Sequence, residues 1–82
     1  MEDVLDLAGL KCPLPALMTR RALARLAPGT LLTVTADDPL AAVDIPHMCH
    51  AEGHTVEAVT NHERHVEFRL RVGPHSARDF VA

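Results

Sequence analysis

Apolar and polar positions alternate along four short stretches of the chain and recur at helical spacing along two longer ones. Asp3-Val4-Leu5-Asp6-Leu7-Ala8 roughly alternates and is followed by Gly9, which predicts a strand ending in a turn. Leu10-Lys11 then leads into Cys12-Pro13-Leu14-Pro15. Proline suits the first turn of a helix, where its missing N–H would be unpaired anyway, so a helix is predicted to start at or just after Cys12. It runs to about Leu26, where Ala27-Pro28-Gly29 stops it. At about 100° per residue, Ala16, Thr19, Ala22, Leu23 and Leu26 share one stripe and form the core face. Leu14, Leu17 and Met18 fall on a different side, which continues as Arg21 and Arg25.

Thr30 to Ala36 is rich in β-branched residues and predicts a well-buried strand. Asp37-Asp38-Pro39 repeats the helix-start grammar, with Asp38 as N-cap and Pro39 at the first helical position. The second helix begins near Leu40 and ends at Gly53. Pro46 inside it calls for a kink, or for a restart with Asp44 as a fresh cap. His54 to Thr60 is a third strand. His65 to Val72 is a fourth, with Val66, Phe68, Leu70 and Val72 inward, Glu67, Arg69 and Arg71 outward, and Asn61 to Arg64 as the hairpin between the two strands. The order β-α-β-α-β-β, with right-handed crossovers, puts both helices on one face and predicts a two-layer α/β sandwich. Residues 1–74 form the single domain and residues 75–82, which have no period, a loosely held tail.

Composition narrows the function. A chain of 82 residues makes one domain, and near this size a fold buries only about 60% of its unfolded surface, so chemistry belongs at the surface rather than in a deep cavity. The net charge of −3, two aromatic side chains (Phe68 and Phe80) and the lack of a Lys/Arg run remove phosphate attraction and stacking platforms. Direct nucleic-acid binding is not expected. Two isolated cysteines, Cys12 and Cys49, do not make a disulfide framework and fit a reduced, intracellular thiol protein. Met1-Glu2-Asp3 is acidic where a signal peptide would be basic, and no apolar run approaches the roughly 18 to 20 residues of a membrane span. A cytoplasmic location without membrane association is expected.

Cys12 is the candidate reactive group. Ser, Thr, Asp and Asn normally cap helices, so a cysteine at the cap makes sense if its sulfur is wanted. The helix N-terminus and Lys11 are expected to stabilise the thiolate and hold the Cys12 pKa below the free value, with the Leu14 N–H as the one donor facing the sulfur, since Pro13 and Pro15 have none. In a Cys-x-x-Cys redox pair a second thiol at the fourth position resolves mixed disulfides; here that position is Pro15. A sulfane sulfur taken up by Cys12 would therefore survive until an acceptor arrived. The hexapeptide around Cys12 carries no His, Asp or Glu, so local sequence gives no general base.

These residues resemble the TusA/SirA/YedF-like sulfur carrier proteins. The likeness lies in the Cys12-Pro13-x-Pro15 signature, Leu5-Asp6-Leu7-x-Gly9-Leu10-Lys11 before it, and Leu26-x-Pro28-Gly29 after the helix. It continues through Asp38-Pro39, Asp44-Ile45-Pro46, Cys49 and Gly53-His54, covering about residues 3 to 72. The resemblance implies a fold similar to the C-terminal domain of bacterial translation initiation factor three, with a mixed four-stranded sheet in order 1-2-4-3. It also implies a sulfurtransferase-type carrier loaded by a cysteine desulfurase or a rhodanese-like protein, with catalysis largely supplied by its partners. The sulfur would pass to a relay acceptor protein for tRNA thiolation, to molybdenum-cofactor pathways or to dissimilatory sulfur oxidation. The variable position of the motif is Leu14, where the family member serving tRNA thiolation has an acidic residue, so that member's partners do not carry over. Lys11, Pro13, Leu14 and Pro15 are then the residues supporting Cys12, and Leu17, Met18, Arg21 and Arg25 the candidates for partner docking.

Two other classes compete. A metal-binding regulatory module would use Cys49 with His47, His50 and His54; no Cys-rich knuckle completes four ligands, so neither a metal nor a cofactor is called for. A thiol-redox protein would join Cys12 to Cys49 when oxidised. His62, His65 and His75 read as turn, strand-entry and tail residues.

Overall fold

A computed structural model describes residues 2–74; the expected tail, with His75 and Phe80, lies outside the described residues. Six elements follow the predicted order: β1 (Glu2–Asp6), α1 (Leu14–Arg25), β2 (Leu31–Ala36), α2 (Ala41–Glu52), β3 (Thr55–Asn61) and β4 (Val66–Arg71). The sheet order is β1-β2-β4-β3. β1 runs parallel to β2, as a crossover through α1 requires, and β4 lies antiparallel to both β2 and β3.

Period-2 alternation explains the core. Leu32 and Val34 on β2 stand opposite Leu70 and Phe68 on β4, and all four side chains are buried. Val72 continues the row just past β4, and Ala36 closes it on β2. Against this face α1 buries Pro15, Thr19 and Leu23, while α2 buries Ala41, Ile45 and Cys49. Leu31, Thr33 and Thr35, pointing the other way from β2, are only half-buried, so both helices share one face of the sheet. The stripe predicted on the first helix is the stripe that packs: Ala16, Ala22 and Leu26 lie half-buried against the same core.

Helix α2 departs from expectation at its start. Asp38 does not cap it directly: its Oδ1 accepts the Leu40 N–H at 3.1 Å and its carbonyl accepts the Ala41 N–H at 2.9 Å, so Asp38-Pro39-Leu40 makes a turn and the helix begins at Ala41. The helix does not restart at Asp44, because α2 is continuous from Ala41 to Glu52 with Pro46 inside it. Its far end behaves as predicted: Gly53 takes a left-handed conformation (φ 86°) that other residues adopt at a cost, and the His54 N–H closes on the Cys49 carbonyl at 2.8 Å.

The chain returns past this corner after β4. A side chain at Gly73 would meet the Gly53 carbonyl at 1.9 Å from its first carbon, so only glycine fits. The Gly73 N–H donates to His54 Nδ1 at 2.9 Å, which gives the buried His54 a structural part in locking the end of β4 to the end of α2.

Candidate functional site

The loop between β1 and α1 carries Cys12, and the two acids after β2 hold it in place. Both oxygens of Asp37 accept the Gly9 N–H at 3.0 Å, and Asp38 Oδ2 accepts the Cys12 N–H. Asp38 is buried, 8% exposed, and ties Cys12 and Leu40 to a single carboxylate. Hydrogen bonds from the Cys12 and Leu40 amides, and then the charge of Lys11, hold the Asp38 carboxyl below the ordinary carboxylate range. Because the folded-state pKa is the lower one, this stabilisation is complete above about pH 5 and fades as pH falls below about 4. Asp38→Asn is accordingly expected to lower the urea midpoint at neutral pH, with the difference from wild type shrinking at pH 3; equal differences at both pH values would contradict the assignment.

Helix α1 starts two residues beyond the sulfur. Its N-cap is Pro13, with no side-chain cap bond, and the Leu14 N–H donates to the Lys11 carbonyl at 2.8 Å rather than facing Cys12. Cys12 is therefore not the N-cap that the proline pattern suggested. The Cys12–Pro13 peptide is cis. Pro15 is fully buried, and its carbonyl accepts the Thr19 hydroxyl at 2.7 Å, so the fourth position of the motif anchors the helix start in the core.

What the sulfur meets is an acid. The exposed Cys12 thiol donates to Asp44 Oδ2 at 3.2 Å, across 32 residues of sequence. The hydrogen bond to Asp44, then desolvation, then the charges of Asp44 and Asp38 raise the Cys12 pKa above its ordinary value. This reverses the expected direction. The sulfur lies outside the first helical turn, and packing of α2 against α1 brings in carboxylates that no local pattern announces. Lys11 is exposed, and its charge acts on Asp38.

Cys49 sits at the opposite extreme. It is completely buried on the inner side of α2, and burial pushes its thiol up to about 11. A short pulse of iodoacetamide at pH 8 is expected to alkylate Cys12 alone in the native protein and both cysteines in urea; equal native labelling would contradict the burial of Cys49. His47 and His50 are exposed, while His54 is turned toward Gly73. Among the described residues no group of three or more His, Cys, Asp or Glu side chains is placed to hold a metal ion.

The proposed docking residues divide by distance. Leu14, Leu17 and Met18 are exposed on the first two turns of α1, two to six residues along the chain from Cys12, and Arg21 follows on the next. Arg25 is exposed too, but about 16 Å of helix separates it from Leu14, and it borders a shallow groove against Val4 and Leu5 of β1. Two exposed apolar residues that helical patterning did not single out, Leu40 at the cap of α2 and Val43 on the helix, lie just before Asp44 in the chain. No helix among the described residues is long and apolar enough to cross a membrane.

Comparison with known proteins places this arrangement in a family. A crystal structure of a SirA-like protein from Desulfitobacterium hafniense superposes with a TM-score of 0.76 at 25% identity, over 90% of this chain and all of the other. The family model for sulfurtransferase TusA matches residues 3–72, a span that contains Cys12, Asp38 and Asp44 together with all but the first residue of the sheet. By sequence over nearly the whole described fold, and by the architecture that holds the Cys12 loop, the chain belongs to the TusA family of sulfurtransferases.

Proposed function

We propose that this protein is a cytoplasmic carrier that takes up sulfane sulfur as a persulfide on Cys12 and hands it to an acceptor protein. The observation that carries the reading is the contrast between the two thiols: one exposed at the tip of α1, the other sealed in the core. In the loading step the Cys12 thiolate attacks the outer sulfur of a donor persulfide, R–S–SH. A Cys12–sulfur bond forms, the donor S–S bond breaks, and the electron pair leaves on the donor cysteine, which takes a proton. Unloading runs the same exchange toward an acceptor thiolate. Pro15 in place of a second thiol keeps the loaded sulfur from being expelled within the motif.

The donor expected is a cysteine desulfurase or a rhodanese-like protein, and the receiver a sulfur-relay protein with its own cysteine. Catalytic groups come largely from these partners. Leu14, Leu17, Met18 and Arg21 offer them an apolar surface with one flanking charge beside the sulfur. Arg25 adds charge only for a partner broad enough to follow the helix. Tests for the branch served, whether tRNA thiolation, molybdenum cofactor or sulfur oxidation, follow from which acceptor unloads the protein. For the carrier itself, incubation with a cysteine desulfurase and cysteine is expected to add about 32 Da to the intact protein, and addition of a relay acceptor to remove it. A protein that gains no mass under these conditions, and none from a rhodanese-like donor, is not a carrier.

A further inference from the structure

A carboxylate beside a nucleophilic sulfur is a puzzling neighbour, because a thiolate formed there faces a like charge. The Cys12 sulfur hydrogen-bonds Asp44 at 3.2 Å, and the charges acting on it come from Asp44 on α2 and Asp38 in the turn before α2. The cation next to it in the chain, Lys11, acts on Asp38. Main-chain bonds to Asp37 and Asp38 fix the loop, so the Asp44 contact is made by the sulfur itself and can be exchanged without unmaking the loop. Asp44 is half-buried, and two exposed apolar residues precede it closely in the chain, Leu40 at the cap of α2 and Val43 on the helix itself.

We propose that Asp44 is a latch on the Cys12 thiol, closed in the free carrier by their hydrogen bond and opened when a sulfur-donating protein sets a lysine or arginine side chain against the Asp44 carboxylate. The inference rests on the sulfur-carrier reading of Cys12. Charge complementarity identifies the occupant: a carboxylate with exposed Leu40 and Val43 close by is matched by a cation with apolar neighbours, placed beside the donor's persulfide cysteine. Docking exchanges the S–H···O contact for an ion pair. The freed thiol loses its proton to solvent, the thiolate attacks the donor's outer sulfur, and the donor cysteine leaves as a thiolate that takes up a proton in turn. Between deliveries the closed latch keeps the exposed sulfur protonated and slow toward electrophiles that do not dock.

Two variants of the full chain, Asp44→Asn and Asp44→Ala, separate this from other parts for Asp44. Site-resolved iodoacetamide alkylation across about pH 6 to 10 is expected to be roughly threefold or more faster in both variants at pH 7, with the midpoint moved to lower pH. Loading from inorganic polysulfide, which brings no cation, is expected to rise by a similar factor. Loading from a cysteine desulfurase with cysteine is expected not to rise, and Asp44→Glu to recover the wild-type rate with that donor. An unchanged alkylation profile overturns the latch, and an equal gain with both donors shows that the donor does not use Asp44. Slowing with both donors makes Asp44 a general base instead and likewise overturns the proposal. Sulfur retained by Cys12→Ser, by contrast, is a failure of the carrier reading and not of the latch.

Discussion

Replacing Cys12 by Ser is expected to abolish sulfur loading from a protein donor, while replacing Cys49 by Ser leaves it at the wild-type level. The hydroxyl of serine sits where the thiol sat but cannot form an S–S bond, so the effect is complete rather than graded. The loop should survive, because it is held through the Cys12 amide on Asp38 and the Gly9 amide on Asp37, neither of which involves the sulfur. Cys49 has no comparable exposure, and burial pushes its thiol up to about 11, which leaves almost no thiolate near neutral pH. Cys49→Ser places a hydroxyl in an apolar site and is expected to lower stability modestly without touching the chemistry. Intact mass spectrometry on the two variants checks both halves of the expectation. Loading on Cys12→Ser, or its loss in Cys49→Ser, would reverse the assignment of the two cysteines.

The second large effect concerns the scaffold. Phe68 is completely buried at the centre of β4, opposite Val34 on β2 and Val59 on β3. Phe68→Ala removes the largest of the fully buried side chains and leaves a cavity between sheet and helices. Such truncations cost about 3–5 kcal/mol. A domain this size has a total stability on the order of 4–12 kcal/mol, so the variant is expected to lose a quarter or more of it. Urea unfolding followed by circular dichroism should show a strongly lowered midpoint with an unchanged slope. An unfolding free energy within about 0.5 kcal/mol of wild type would mean that the core is not centred on this residue. The site would suffer with the fold, since β2 leads directly into Asp37 and Asp38.

Much of this architecture is legible in the sequence because it is governed by local period. The alternation from Val66 to Val72 and the stripe from Ala16 to Leu26 each point one way, and the core uses both as predicted. The sheet order and the family membership follow from resemblance, carried by the Cys12-Pro13-x-Pro15 signature and its surroundings. The errors fall where a local signal competes with tertiary structure. Asp38-Pro39 has the grammar of a helix start, yet the Asp38 carboxylate is shared with the Cys12 amide across the loop, and α2 begins later. Asp44 next to Ile45-Pro46 reads as a cap, while its carboxylate is engaged by a sulfur 32 residues away. Nothing in helical or strand spacing encodes that pairing. It arises from packing α1 beside α2, and it turns the expected activation of Cys12 into restraint. Similarly, His54 is one of the ligands a metal-binding module would use, and its engagement by the Gly73 amide depends on β4 returning past the end of α2.

The central claim is that one particular sulfur carries the cargo, and peptide mapping of the loaded wild-type protein tests it most directly. Cleavage after Lys11, Arg20, Arg25 and Arg64 puts Cys12 and Cys49 in different tryptic peptides. After loading by a cysteine desulfurase and alkylation of the persulfide, the account predicts the extra sulfur, about 32 Da, on the peptide beginning at Cys12 and none on the peptide containing Cys49. Sulfur found on the Cys49 peptide, with the Cys12 peptide unmodified, would contradict it.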